Sequence, residues 1–252
     1  MSVGDRRNSF RRAALLFPLF LSFAASPLAA ATSGLDLAWD DCGSFGTGQK
    51  SFACGGGSAR LVLVASAIAG VDLPRLCGQY SILHVEASSS TLPAWWQLSA
   101  GGCRGGTPSA IHSDFDFTSG GGCADPWSGA AMGGMAYEAG FGGAARARIR
   151  VVCAIAGDTR ISGSDEYAFF KIAIATGKTE ACGGCTEGAC IVLDSIELDQ
   201  PKGVGDHVLT TPILQRAVQW QGGTTASTTT ACPGAAVQTA KTWGGLKSLY
   251  RH

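Results

Sequence analysis

Asparagine is all but missing from this 252-residue chain, Asn8 being the only one. Its turns must therefore be made with Gly, Asp, Ser and Pro, and 36 glycines are on hand for the purpose. Charge is sparse at 15% of residues, Lys+Arg and Asp+Glu stand level at 19 each, and no long basic run breaks the balance. A nucleic-acid-binding surface needs an excess of positive charge, so that function class is excluded. The G-x-S-x-G elbow of α/β-hydrolases is absent, as is the D-x-D-x-D-G loop of an EF-hand. The four histidines, His84, His112, His207 and His252, stand beside no nucleophile motif. No long amphipathic helical pattern separates the strand candidates, which removes helical bundles and α/β folds.

What is present begins with a leader. Arg6, Arg7, Arg11 and Arg12 precede the short apolar run "AALLFPLFLSFAA", and Ala29 and Ala31 supply the A-x-A spacing of a cleavage site. The run is interrupted by Pro18 and is too short for a comfortable membrane span. Residues 1–31 are therefore expected to be a signal peptide, residues 32–222 the folded domain, and residues 223–252 a Thr/Ala-rich loop with a docking segment. After cleavage the chain carries 15 basic against 18 acidic residues and has no membrane span. In the terminal "WGGLKSLYRH", Trp243, Leu246 and Tyr250 share one face of a short helix.

All ten cysteines follow the leader, and an even count in an exported chain implies disulfides. Cys42 with Cys54 and Cys103 with Cys123 each close a short Gly-rich loop. The stretch "ACGGCTEGAC" places Cys182, Cys185 and Cys190 within nine positions. Counted as a zinc knuckle it puts Ser195 where the fourth ligand belongs, and tetrahedral zinc needs four. Counted as a redox C-x-x-C it runs into a strand instead of the helix that lowers a thiol pKa. A disulfide strap is the reading that remains. Cys182 is expected to reach Cys190, leaving Cys185 for Cys232, with the choice of Cys182 or Cys185 for Cys190 left open. Cys77 and Cys153 sit in apolar runs, as buried thiols or as a pair with each other.

Period-two alternation dominates the rest. "LDLAWD" places Leu35, Leu37 and Trp39 on one face, and "SILHVEA" places Leu83 and Val85 inward with Ser81 and Glu86 nearer water. "RARIRVVCAIA" aligns Ala147, Ile149, Val151, Cys153 and Ile155 against Arg146, Arg148 and Arg150, an arrangement only a strand produces. "ARLVLVASA", "IHSDFDFTS", "EYAFFKIAIAT", "CIVLDSIEL" and "AVQWQ" complete eight to ten strands. The pattern predicts an all-β fold, a single antiparallel β-sandwich of jelly-roll or cohesin-like layout with disulfide-strapped loops. Residues 119–143 hold nine glycines and predict a long Ω-loop packed by Trp127, Met132, Met135, Tyr137 and Phe141 and anchored through Cys123.

Candidate sites follow from residue type and placement. "GSFGTGQKS" has Gly43, Gly48, Lys50 and Ser51, but Gln49 separates the second Gly from Lys and no helix follows, so it is no phosphate loop. Asp36, Asp40 and Asp41 crowd one strand end and form the candidate calcium cage; no other cofactor is implied. Asp114 and Asp116, two residues apart on a strand, would stand about 6.5–7 Å apart, within range of a glycosidase pair. Trp95 and Trp96 in "LPAWWQL" are the candidate sugar-stacking aromatics, and alternation requires one of them to face outward or lie under a loop. Arg146, Arg148 and Arg150 are the candidate grip for an anionic polymer, set against the plain role of keeping a strand face soluble.

The elements "LDLAWDDCG", "SFAC", "LPAWWQL", "FDFTSGGGC", "GFGGAARAR", "EYAFFKI", "CGGC", "CIVLDSIELDQP" and "TWGGLKSLYR", in this order over nearly the whole chain after the leader, resemble a group of exported bacterial proteins of unassigned function. The strand layout is also similar to cohesin-like and carbohydrate-binding β-sandwiches. The resemblance brings no catalytic motif with it. The leading reading of the exported β-sandwich is a secreted or surface-associated, non-catalytic binding or assembly module whose partner is an extracellular glycan or a surface protein. The alternative is an extracellular hydrolase acting on a polymer through the Asp114–Asp116 pair.

Overall fold

The arginine-alternating segment forms a strand and buries its apolar face as far as Cys153: Ala147, Ile149, Val151 and Cys153 are in the core and Ile155 is half-buried against it. It belongs to a computed structural model that describes residues 33–54, 59–105, 110–177 and 181–222. The expected leader, the expected docking segment and Cys232 lie outside the described residues. Eleven strands occur among the described residues: β1 (Gly34–Trp39), β2 (Gln49–Lys50), β3 (Arg60–Ile68), β4 (Leu73–Ala87), β5 (Ile111–Asp114), β6 (Met132–Ala139), β7 (Arg146–Ile161), β8 (Glu166–Ala175), β9 (Ala189–Asp199), β10 (His207–Leu209) and β11 (Ala217–Trp220). No helix among them is long and apolar enough to cross a membrane.

The strands form two sheets, one ordered β1-β3-β8-β5 and the other β2-β11-β9-β4-β7-β6, with β10 pairing β9. Pairing is antiparallel except between β11 and β2, which run parallel. The chain crosses from sheet to sheet after β1, β2, β3, β4, β5, β7 and β8, so each layer is built from distant segments. One core joins the inner faces: Leu35, Leu37 and Leu63 from the smaller sheet meet Leu83, Ile149 and Leu193 from the larger. The all-β sandwich is thus the observed architecture.

Four local expectations are corrected by packing. Ser81 shares the inward parity of Leu83 and Val85 and is buried, its hydroxyl donating to Gln79 Oε1 at 2.5 Å. Glu86 is buried on the outer face, where Arg146 pairs with it. In "IHSDFDFTS" the strand stops at Asp114, because the side chain of Asp114 accepts from Asp116 N–H (3.0 Å) and that of Asp116 from Thr118 N–H (2.8 Å). These successive Asx turns replace the ladder and produce the same alternation of Phe and Asp. Residues 119–143 are not one Ω-loop: β6 occupies Met132–Ala139, and Met132 is 81% exposed although Trp127 is buried.

The disulfides skip their neighbours. Cys42 joins Cys123, Cys54 joins Cys185 and Cys103 joins Cys182. The expected local pairs Cys42–Cys54 and Cys103–Cys123 do not form, and Cys182 and Cys185 take Cys103 and Cys54 instead of Cys190 and Cys232. The physical reason is the crossing of the chain between sheets, which brings distant loops together and holds sequence neighbours on separate tethers. Cys190 is disulfide-bonded as well. Cys77 and Cys153 are free thiols, and burial pushes the inward-facing Cys153 up to about 12.

Candidate functional site

The outer face of the smaller sheet carries a pocket of about 350 Å³. Its floor is Val62 and Val64 of β3 with Ala168 of β8, the positions opposite the core-facing Leu61 and Leu63. Asp40 and Asp41, just beyond β1, form one wall, and Asp114 at the end of β5 forms another. The segment from Phe117 to Cys123 closes it, with Lys171 of β8 reaching in beneath. A concave site with an aliphatic floor and a few converging polar groups has the make-up of a small-ligand site.

Each part is held by local chemistry. The Asx turns project Phe117 over the sheet, and the Lys171 ammonium lies 4.5 Å from its ring centroid while donating to Asp116 O. The Cys42–Cys123 bond ties the closing segment to the end of β1. Asp41 reinforces it, its carboxylate accepting from Cys42 N–H at 2.8 Å and Gly122 N–H at 3.0 Å. Gly122 is required, since a Cβ there would lie 2.1 Å from the Phe45 ring. Asp40 takes a left-handed backbone (φ 71°) and accepts from Lys50 Nζ at 2.5 and 2.6 Å. Thr118 side-chain and backbone hydrogen bonds hold the Asp116 carboxyl below its ordinary range. Among the described residues the pocket therefore presents fixed carboxylates and the Lys171 ammonium over an apolar floor, with no histidine lining it.

The candidate calcium cage is not assembled. Asp36 is buried on β1, its Oδ1 accepting from Leu214 N–H (2.7 Å) and Gln215 N–H (2.9 Å), and burial pushes its carboxyl up. It straps residues 211–215 to β1, while Asp40 and Asp41 turn to the partners named above. Among the described residues the acidic group that could gather round a cation is Glu197, Asp199 and Asp206, whose oxygens lie within 4.8 Å of one another. Burial, then Glu197 and Asp206, push Asp199 up to about 6.

The tryptophans expected to stack sugars are both 0% exposed. "LPAWWQL" forms a 3-10 turn at Ala94–Trp96 in place of a strand, so alternation does not apply and both indoles turn inward. They pack with Trp220 and Phe52, Trp95 lying 4.6 Å from Trp220 and 6.2 Å from Phe52 between centroids. The buried guanidinium of Arg104 sits 4.0 Å above Trp95, and burial pushes it down to about 10. This cluster is structural, each fully buried aromatic contributing about 1.5–3 kcal/mol.

The arginine stripe is on the outer face of the larger sheet as expected, but its charges are matched. Arg146 pairs with Glu86, and Arg148 and Arg150 both pair with Glu138. Phe141 stacks 3.5 Å from the Arg148 guanidinium carbon and 6.1 Å from the His84 ring, whose Nδ1 lies 2.5 Å from Asp194 Oδ2. Burial raises Glu138, yet Arg148 and Arg150 outweigh it and hold the carboxyl below its ordinary range. Sequence reading found the cations and missed their partners, because Glu86, Glu138 and Asp194 lie on three different strands. It likewise missed the pocket, where Asp114 was visible but Lys171, Val62 and Val64 read as ordinary strand residues. No protein-family model matches the chain, and no curated protein matches it.

Proposed function

We propose that this protein is a secreted or surface-associated, non-catalytic binding module, and that the pocket over β3 and β8 holds a hydroxyl-bearing group of an extracellular glycan. The observation that carries the reading is that Asp114 and Lys171, cross-strand neighbours on β5 and β8, line one loop-closed pocket with an aliphatic floor. A sugar hydroxyl donates to a carboxylate and accepts from an ammonium, and its C–H face lies on aliphatic side chains. The disulfides Cys42–Cys123, Cys54–Cys185 and Cys103–Cys182 fit an oxidising compartment.

The hydrolase alternative draws on one observation, that Asp114 shares the pocket with Asp40 and Asp41. Acid–base glycoside cleavage needs one carboxyl held protonated. Asp116 does not line the pocket and is held ionised by Thr118, and Asp40 and Asp41 are occupied by Lys50 and by backbone N–H groups. Binding is therefore favoured over cleavage.

Calorimetry on glycans selected by array tests the reading. Asp114→Asn and Lys171→Met should each weaken binding about tenfold or more, equivalent to about 1.4 kcal/mol. Affinity unchanged in both variants, or no binding to any glycan, would overturn it. Turnover of the bound glycan that disappears in Asp114→Asn would replace the module with the enzyme.

A further inference from the structure

The sheet edges are managed unequally. The outer edge of β1 is sealed by Leu35 N–H to Thr211 O, Leu37 N–H to Gln215 O and Ile213 N–H to Leu35 O, at 2.9–3.0 Å. β5 and β2 are short, at four and two residues. β6 has eight residues and pairs β7 without a register shift. Its second half is capped by Ser99, whose Oγ donates to Tyr137 O (3.4 Å) and accepts from Ala139 N–H (3.2 Å).

Those two contacts fix the direction of every peptide group in β6. Tyr137 and Ala139 turn their polar groups away from β7, so strand alternation turns those of Gly133 and Met135 the same way. Among the described residues no backbone group bonds them. The stretch Met132–Ala136 has no charge, no proline and no bulge, the devices that ordinarily block an edge. Beside it on the outer face, Met132 is 81% and Val152 49% exposed, Val152 lying opposite Gly134, which has no side chain to cover it.

We propose that β6 pairs with β6 of a second copy of this chain, antiparallel about a two-fold axis through Gly134, making one continuous sheet across the dimer. Self-complementarity selects the occupant. With Gly134 opposite Gly134 of the copy, Gly133 faces Met135 on both sides, and the two open donors and two open acceptors of each chain are matched in four hydrogen bonds. Gly134 meeting itself places no side chain between the strands, and Met132 reaches across towards the copy's Gly134. A register moved two residues further along β6 brings Gly133 against Tyr137, which Ser99 already occupies. The contact is narrow, so the dimer is weak and concentration-dependent.

Analytical ultracentrifugation of the disulfide-intact protein, from about 10 µM to about 1 mM, should show reversible dimerisation in a range spanning weak interfaces. An ideal Cβ at Gly134 meets nothing within 4 Å, so a side chain is accommodated in the monomer. Gly134→Lys and Gly134→Glu should each weaken self-association about tenfold or more, since like charges then meet on the axis. Mixing the two variants should restore it as a heterodimer. Met132→Lys, on a side chain already in water, gives the same loss if the glycine variants misfold. Protein that is monomeric throughout, including protein that instead binds an added β6 peptide, overturns the proposal. So do variants that associate like the parent, or a mixture that gains nothing.

Discussion

The outer faces of the two sheets hold comparable charge and use it in opposite ways. Over β3 and β8 the carboxylates of Asp40, Asp41 and Asp114 are spaced around a hollow by a loop locked to β1. Over β4, β6, β7 and β9 polar groups meet strand to strand, Arg146 pairing with Glu86, Arg148 and Arg150 with Glu138, and the His84 ring contacting Asp194. Neighbouring strands stand about 4.8 Å apart, close enough for opposite charges to cancel directly. Lys50 matches Asp40, but the tethered loop satisfies Asp41 with backbone N–H groups instead of a cation. The difference between a hollowed face and a flat one is thus made by a covalent tether more than by composition.

Removing the tether should have the largest effect. The double variant Cys42→Ser/Cys123→Ser opens a loop whose ends are 81 residues apart, and should lose about 3–5 kcal/mol in denaturant unfolding. Limited proteolysis should then cut between Phe117 and Cys123. If the pocket segment stays protected, the tether is not what holds the two faces apart in character.

On the other face, Glu138→Ala leaves Arg148 and Arg150 without their shared partner. It should cost about 1–2 kcal/mol and lengthen retention on an immobilised polyanion. Unchanged retention would mean that the stripe is already available to anions.

At the far end of that face Glu197, Asp199 and Asp206 gather, their oxygens within 4.8 Å of one another. The Asp199 carboxyl lies at about 6 in the folded protein, above the ~3.9 of an unfolded chain. The native state therefore holds the proton more tightly, and this contribution to stability is full below about pH 4 and lost as pH rises through about 6. Asp199→Asn should remove it, so that the variant gains about 1–2 kcal/mol on its parent between about pH 4 and pH 7. A constant difference across that range would contradict the assignment. The smallest effect is expected at Lys171→Met, whose unfolding midpoint should stay within about 0.5 kcal/mol of the parent while its ligand affinity falls.

Much of the layer architecture was legible in the sequence because alternation encodes which face a residue takes. β7 and the inward residues of β1 follow it directly. The failures are also physical. Alternation in "FDFTS" comes from side chains bonding the backbone two residues on, which mimics a strand pattern, and Trp95 and Trp96 escape the rule in a 3-10 turn. Cysteine pairing and the pocket were illegible for a shared reason. Both depend on which distant segments the crossovers bring together, and spacing along the chain carries no record of that.

The disulfide pattern bears on how the chain matures. Every mapped bond spans at least 79 residues, and Cys42–Cys123 interleaves with both Cys54–Cys185 and Cys103–Cys182. A chain threaded amino terminus first into an oxidising space presents Cys42 and Cys54 together long before Cys123 or Cys185 arrives. Neighbours in time are the wrong partners, and pairs formed on arrival must be broken again by a thiolate through a mixed disulfide. With bonds interleaved in this way, the native pairing is reached by thiol–disulfide exchange and not by order of appearance along the chain.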